Sequence, residues 1–217
     1  VIQQFIACLL FADDMSLISP TRESMQKMLD VCAEYCRKFC LHFNVNKTKI
    51  MVFGKLYNTL ESISNICFQG AQIEYVRSCK YLGFHVKSGL HFKLSIHEDL
   101  CGFFASANSI LNSMVKPKEN VLIRLLYSNC VPRLTYGAAI KDLNSSEKQQ
   151  LNVAVNNAVR RIFGFRQWQS IRQLREFYGF KPIEVIFAES RQRFLKALPN
   201  HRNGILRHLS SLSNEVE

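Results

Sequence analysis

Two adjacent carboxylates, Asp13 and Asp14, stand between apolar runs: Phe5 to Ala12 leads into them and Met15 to Ser19 follows. Such runs joined by polar residues predict a β-hairpin with the aspartates at its tip and both strands buried. A rigid tip can aim hard oxygen ligands at a divalent cation, and Mg²⁺ is commonly held by one or two carboxylates together with substrate phosphates. In two-metal nucleotidyl transfer one ion activates the attacking oxygen and the other neutralises charge on the leaving group. By itself the pair is more commonly an Asp-Asp turn that only closes a hairpin.

Other reactive side chains give weaker signals. Eight cysteines are scattered without a C-x-x-C pair, which fits reduced thiols in a nuclear or cytoplasmic protein. Cys32, Cys36 and Cys40 fall at i, i+4 and i+8 of a predicted helix with His42 close by. Ligands on one continuous helix surround a tetrahedral ion poorly, so a buried stripe of small side chains is the simpler reading. Trp168, the only tryptophan, reads as a core anchor ahead of a base-stacking platform.

The elements that must position these residues follow from periodicity. Thr21 is a candidate N-cap for an amphipathic helix from Arg22 to about Leu41, striped by Met25, Met28, Leu29, Cys32, Tyr35, Cys36 and Phe39. A polar stretch, Asn44 to Thr48, leads to a strand from Lys49 to Phe53. A small hairpin is expected over Ile66 to Val76, turning at Gly70, and Tyr81 to Val86 reads as a further strand with Gly83 inside it. After Gly89 the pattern becomes helical: Leu94 to Val115, Glu119 to Asn129, Glu147 to Phe163, Ile171 to Tyr178, and Pro182 to Leu198. Ser146 and Gln149 suggest a capping box for the third of these, and Gly164 its stop. The expected organisation is a mixed domain over 1–89 and a helical one over 90–217.

Charge points to a polyanionic partner. The net charge of +11 is concentrated late in the chain, where 11 basic residues between Arg160 and Arg207 face only Glu176, Glu184 and Glu189. A solvated basic surface would look the same. No apolar run approaches the roughly 20 residues of a membrane span, and no charged start precedes the first apolar run as in a signal peptide. The chain starts at Val1 rather than Met, which suggests a fragment or a processed product.

Phe11-Ala12-Asp13-Asp14, with its apolar flanks, resembles the aromatic-x-Asp-Asp hairpin of reverse transcriptases, above all the non-LTR (LINE-type) retrotransposon form. Further segments follow in the family's order. Asn44-Val45-Asn46-Lys47-Thr48-Lys49 with Ile50 to Gly54 is similar to the next palm motif. Ser78-Cys79-Lys80-Tyr81-Leu82-Gly83 is similar to the primer-grip hairpin. Tyr127 to Gly137 and the helix ending Arg160-Arg161-Ile162-Phe163-Gly164 look like the thumb. A group II intron maturase is a related alternative that the Asn44–Gly54 and Ser78–Gly83 segments disfavour.

The resemblance implies an α+β fold, with a partial polymerase palm of antiparallel strands and a packed helix, then a mostly helical thumb or connection region. It implies Mg²⁺ or Mn²⁺ as cofactor, held by Asp13 with Asp14 in support, and an RNA template, a DNA primer and dNTPs as partners. Phe11 and Ala12 would flank the primer terminus and incoming nucleotide, and Lys47 would neutralise the leaving pyrophosphate. Tyr81, Leu82 and Gly83 would hold the primer backbone. Arg160, Arg161, Arg166, Arg172 and Arg175 would follow the phosphates of the template–primer duplex. Family members carry a further metal-binding aspartate and the fingers upstream of this hairpin. The expectation is therefore that the chain works with an upstream fingers and palm segment of the same polyprotein and is inactive alone. A non-enzymatic nucleic-acid-binding remnant, or a relic without function, is the alternative.

Overall fold

A two-residue turn closes the first hairpin of the computed structural model, which describes residues 7–58, 65–112 and 117–213. Strands β1 (Cys8–Phe11) and β2 (Asp14–Leu17) pair antiparallel, with Cys8 opposite Leu17 and Phe11 opposite Asp14. Asp13 therefore shares the turn with Ala12, while Asp14 is already the first residue of β2. The expected burial of both strands is corrected. All of β1 is exposed, with Leu10 at 72% and Phe11 at 64%, because among the described residues β1 pairs with β2 alone. The expected strand start at Phe5 and helix end at Val115 lie outside the described residues.

Helix α1 (Arg22–Phe39) begins where Thr21 accepts a hydrogen bond from the Ser24 amide at 3.2 Å, and ends at Cys40 with φ 52°. Glu23 in the first turn and Arg37 and Lys38 in the last complement the helix dipole. Its stripe buries Leu29 and half-buries Met25, Cys32 and Ala33 against Ile66, Phe68 and Ile73. Tyr35 and Phe39, expected on the stripe, are exposed and pack on each other at 4.4 Å between ring centroids. The amide of Gln26 meets both backbone groups of Cys67, donating to its carbonyl at 2.8 Å and accepting from its N–H at 3.0 Å. A helix side chain thus satisfies a strand edge that would otherwise need a neighbour.

The small strands that follow are shorter than their sequence suggests. Strand β3 (Lys49–Ile50) does not continue to Phe53, because its parallel partner β6 (Glu74–Tyr75) has only two residues. Between them β4 (Cys67–Phe68) and β5 (Ala71–Gln72) form a hairpin over Gln69 and Gly70. The single strand expected over Tyr81–Val86 is instead a hairpin, β7 (Ser78–Tyr81) with β8 (Phe84–Lys87). Leu82 and Gly83 hold φ 47° and 81°, and two left-handed residues in succession make the tight type I′ reversal that matches strand twist. Strand β9 (Lys93–Leu94) extends that sheet.

The chain divides into two compact units, residues 1–93 and 94–217. The second unit is helical: α2 (His97–Leu111), α3 (Glu119–Leu125), α4 (Val131–Thr135), α5 (Ser145–Ile162), α6 (Arg172–Tyr178), α7 (Ile183–Ala197) and α8 (Gly204–Ser213). Its core gathers Phe103, Leu126, Cys130, Leu134, Leu151, Val155, Val159, Ile183 and Phe187. A π-turn, Leu126–Cys130, interrupts the helix expected to run through Asn129. Pro132 has no N–H to offer the carbonyl four residues back, and the ladder widens so that the Val131 amide bonds the Leu126 carbonyl. The capping box of α5 is Asn144 with Glu147, not Ser146 with Gln149: the Glu147 amide donates to Asn144 at 2.8 Å and the Asn144 amide to Glu147 at 3.0 Å. Lys141 is buried and meets Asp99 of α2 at 2.6 Å. The architecture is mixed α and β, small sheets followed by helices.

Candidate catalytic hairpin and nucleic-acid surface

The β1–β2 turn brings Phe11, Ala12, Asp13 and Asp14 together at one exposed tip. Ala12 holds φ 51°, a left-handed conformation that costs a residue with a Cβ roughly 1–2 kcal/mol and that glycine would take freely. Strain of this kind persists where the surroundings require it and gathers at functional sites. Neither aspartate is tied to another described side chain, so four carboxylate oxygens stand free at the tip. Hard oxygen donors of this type fit Mg²⁺ or Mn²⁺ chemistry. The fit is partial: among the described residues no group of three or more His, Cys, Asp or Glu could hold a metal ion. The Cys32, Cys36 and Cys40 series is likewise no metal centre. Cys36 is buried, burial holds the Cys32 thiol pKa up, and Cys40 is the exposed helix terminator.

Lys47 sits on a separate turn. Asn44 organises it, accepting from the Lys47 amide through its side chain at 3.2 Å and from the Thr48 amide through its carbonyl at 3.1 Å. The lysine is exposed, and no ion pair joins it to either aspartate. Tyr81, Leu82 and Gly83 lie at the β7–β8 reversal, where Leu82 is the second non-glycine residue held left-handed at a hairpin tip within this group of candidates. Beneath that hairpin the Cys79 sulfur meets Met51 at 3.1 Å, and burial raises the Cys79 pKa.

The five arginines separate by what they touch. Arg160 donates to the Gln169 carbonyl and to Asn157, both at 3.0 Å. Arg175 bonds Asn156 and lies beside Tyr127, whose pKa is raised by burial against the pull of that guanidinium. By hydrogen-bond geometry the Tyr127 hydroxyl and Arg175 Nε remain unpaired. Arg161 is exposed and reaches Asn108 at 2.7 Å, and Arg172 pairs with Glu176 at 2.9 Å. Arg166 lies over the ring of Trp168, 5.4 Å from the centroid. Trp168 is not a core anchor; it is 76% exposed. The signal for this was in its neighbours, since Gln167, Gln169 and Ser170 give the indole no apolar stripe to join. Lys141 was missed as well, because nothing in its sequence surroundings marks a buried cation.

Residues 2–86, which include the β1–β2 hairpin and the Tyr81-Leu82-Gly83 reversal, match the family model for reverse transcriptase (RNA-dependent DNA polymerase). Over 159 residues the chain is 26% identical to a transposon-derived protein of Caenorhabditis elegans, an alignment covering 71% of this chain and 55% of that relative. The chain thus spans about half the length of the relative it matches. No solved structure matches it. The two matches support a reverse-transcriptase-related segment. No described helix is long and apolar enough to cross a membrane.

Proposed function

We propose that this chain is the palm and thumb portion of a non-LTR retrotransposon reverse transcriptase, and that its parent copies an RNA template into DNA. The observation that carries the reading is the strained Phe11-Ala12-Asp13-Asp14 reversal, with two free carboxylates at an exposed tip. Asp13, supported by Asp14, would hold one side of a divalent-ion site, where Mg²⁺ or Mn²⁺ supplies charge stabilisation for nucleotidyl transfer. Phe11 and Ala12 flank the primer terminus, Lys47 offers a cation for the departing pyrophosphate, and the Tyr81-Leu82-Gly83 reversal approaches the primer backbone. Two carboxylates complete only part of a ligand set for an ion that demands near-ideal octahedral geometry. On this reading the 217 residues bind the ion weakly and do not polymerise alone; synthesis belongs to a longer chain that adds fingers and a further aspartate.

The direct test in this chain is Mn²⁺ added to the labelled protein during NMR. Paramagnetic broadening confined to the amides around Ala12–Met15, and abolished by Asp13→Ala, is the expected result. Broadening elsewhere, or unchanged by that substitution, contradicts the metal role. A second reading, a non-enzymatic nucleic-acid-binding remnant, is favoured by the basic stretch from Arg160 to Arg207. It predicts duplex binding that weakens steeply with salt whether or not the hairpin takes a metal.

A further inference from the structure

Trp168 is displayed by a built loop. Helix α5 stops at Gly164, φ 67°, and the Phe165 amide turns back to the Arg160 carbonyl at 2.8 Å. Arg160 Nε then donates to the Gln169 carbonyl at 3.0 Å, on the far side of the tryptophan. Within the loop the Arg166 amide donates to Gln169 Oε1 at 2.6 Å and the Gln169 amide to the Arg166 carbonyl at 3.0 Å. Both flanks of Trp168 are thereby pinned while its indole stays in solvent.

Two further observations say what would cover it. The surrounding sequence is cationic: Arg160, Arg161, Arg166, Arg172 and Arg175 share a stretch in which the one acid before Glu184 is Glu176, paired with Arg172. Exposed rings occur in the same stretch of chain, Phe165 at 36% and Phe177 at 81%, while Phe163 and Tyr178, which contact them, are half-buried against the helical core. A polyanion with flat aromatic faces satisfies both features. Paired bases inside a duplex keep their faces stacked on each other, whereas unpaired bases offer theirs to aromatic side chains.

We propose that Trp168, backed by Arg166, is a stacking platform for an unpaired base of single-stranded nucleic acid, with neighbouring arginines taking its phosphates. This rests on the nucleic-acid-binding part of the reading above and not on its polymerase part. Because the chain has one tryptophan, its fluorescence reports on this loop alone.

The test titrates the full chain with unlabelled oligo(U) while following tryptophan emission, and with labelled oligo(U) and an RNA–DNA duplex while following anisotropy. Emission should be quenched in step with single-strand binding. Trp168→Ala should weaken that binding about tenfold and leave duplex affinity within about twofold, and Trp168→Phe should retain most of the single-strand affinity. Single-strand binding without quenching, unchanged affinity in Trp168→Ala, or no single-strand binding at all would overturn the platform. Duplex binding that survives such a result leaves the proposed function standing, whereas loss of both substrates removes both.

Discussion

Leu82 occupies a backbone conformation that a leucine resists. At φ 47° its Cβ crowds the carbonyl that follows, and the reversal it shares with Gly83 is the type that prefers Asn-Gly. If the leucine is retained for contact with a primer, its replacement should trade that contact for stability. Leu82→Asn is expected to raise unfolding stability by about 0.5–1 kcal/mol, read as a higher urea midpoint at unchanged slope. A loss of similar size would mean that the leucine side chain packs for stability and the turn is not under strain. Ala12 poses the same conflict at the carboxylate tip, and neither strain is visible from residue type alone. What was legible at this scale was the chemistry of Asp13 and Asp14, because paired carboxylates between apolar runs stand out. Trp168 was misread since tryptophan usually anchors cores, and its polar neighbours had to be weighed against that habit.

The helices were readable and the strands largely were not. A period of 3.6 over 15 or more residues survives local exceptions, so α1, α5 and α7 lie close to their expected spans. Strands of two residues, such as β3 and β6, carry too few positions for alternation to register, and their lengths are set by partners distant in sequence. The π-turn before α4 follows from Pro132, a local cause that periodicity does not encode. Asp99 shows how an element acquires a role that its own sequence hides. Its sequence surroundings carry no catalytic pattern, and in the fold it pairs with Lys141, whose side chain is 2% exposed. Asp99→Ala takes the carboxylate away from that buried ammonium, which should cost about 3–5 kcal/mol in chemical denaturation. The double variant Asp99→Leu/Lys141→Met should recover most of the loss, since an apolar pair needs no desolvation of charge. Equal destabilisation by both would show that the site depends on polarity rather than on pairing.

Across the whole molecule, two units divide the proposed labour. The first, residues 1–93, carries the carboxylate and Leu82 hairpins on a small core; the second, residues 94–217, carries the helical core and most of the basic excess. The mixed architecture, small sheets and then helices, was legible in the shift of periodicity after Gly89, whereas the exposure of β1 was not, because burial of a strand depends on what lies against it. The central claim is that the Asp13–Asp14 hairpin belongs to an RNA-directed DNA polymerase whose site is completed by further chain. Primer extension on poly(rA)/oligo(dT) with Mg²⁺ or Mn²⁺ tests it, comparing these 217 residues with a version extended upstream in the same reading frame. The account predicts incorporation by the longer chain only, abolished there by Asp13→Ala. Incorporation by the 217 residues alone, or activity in the longer chain that survives Asp13→Ala, would contradict it.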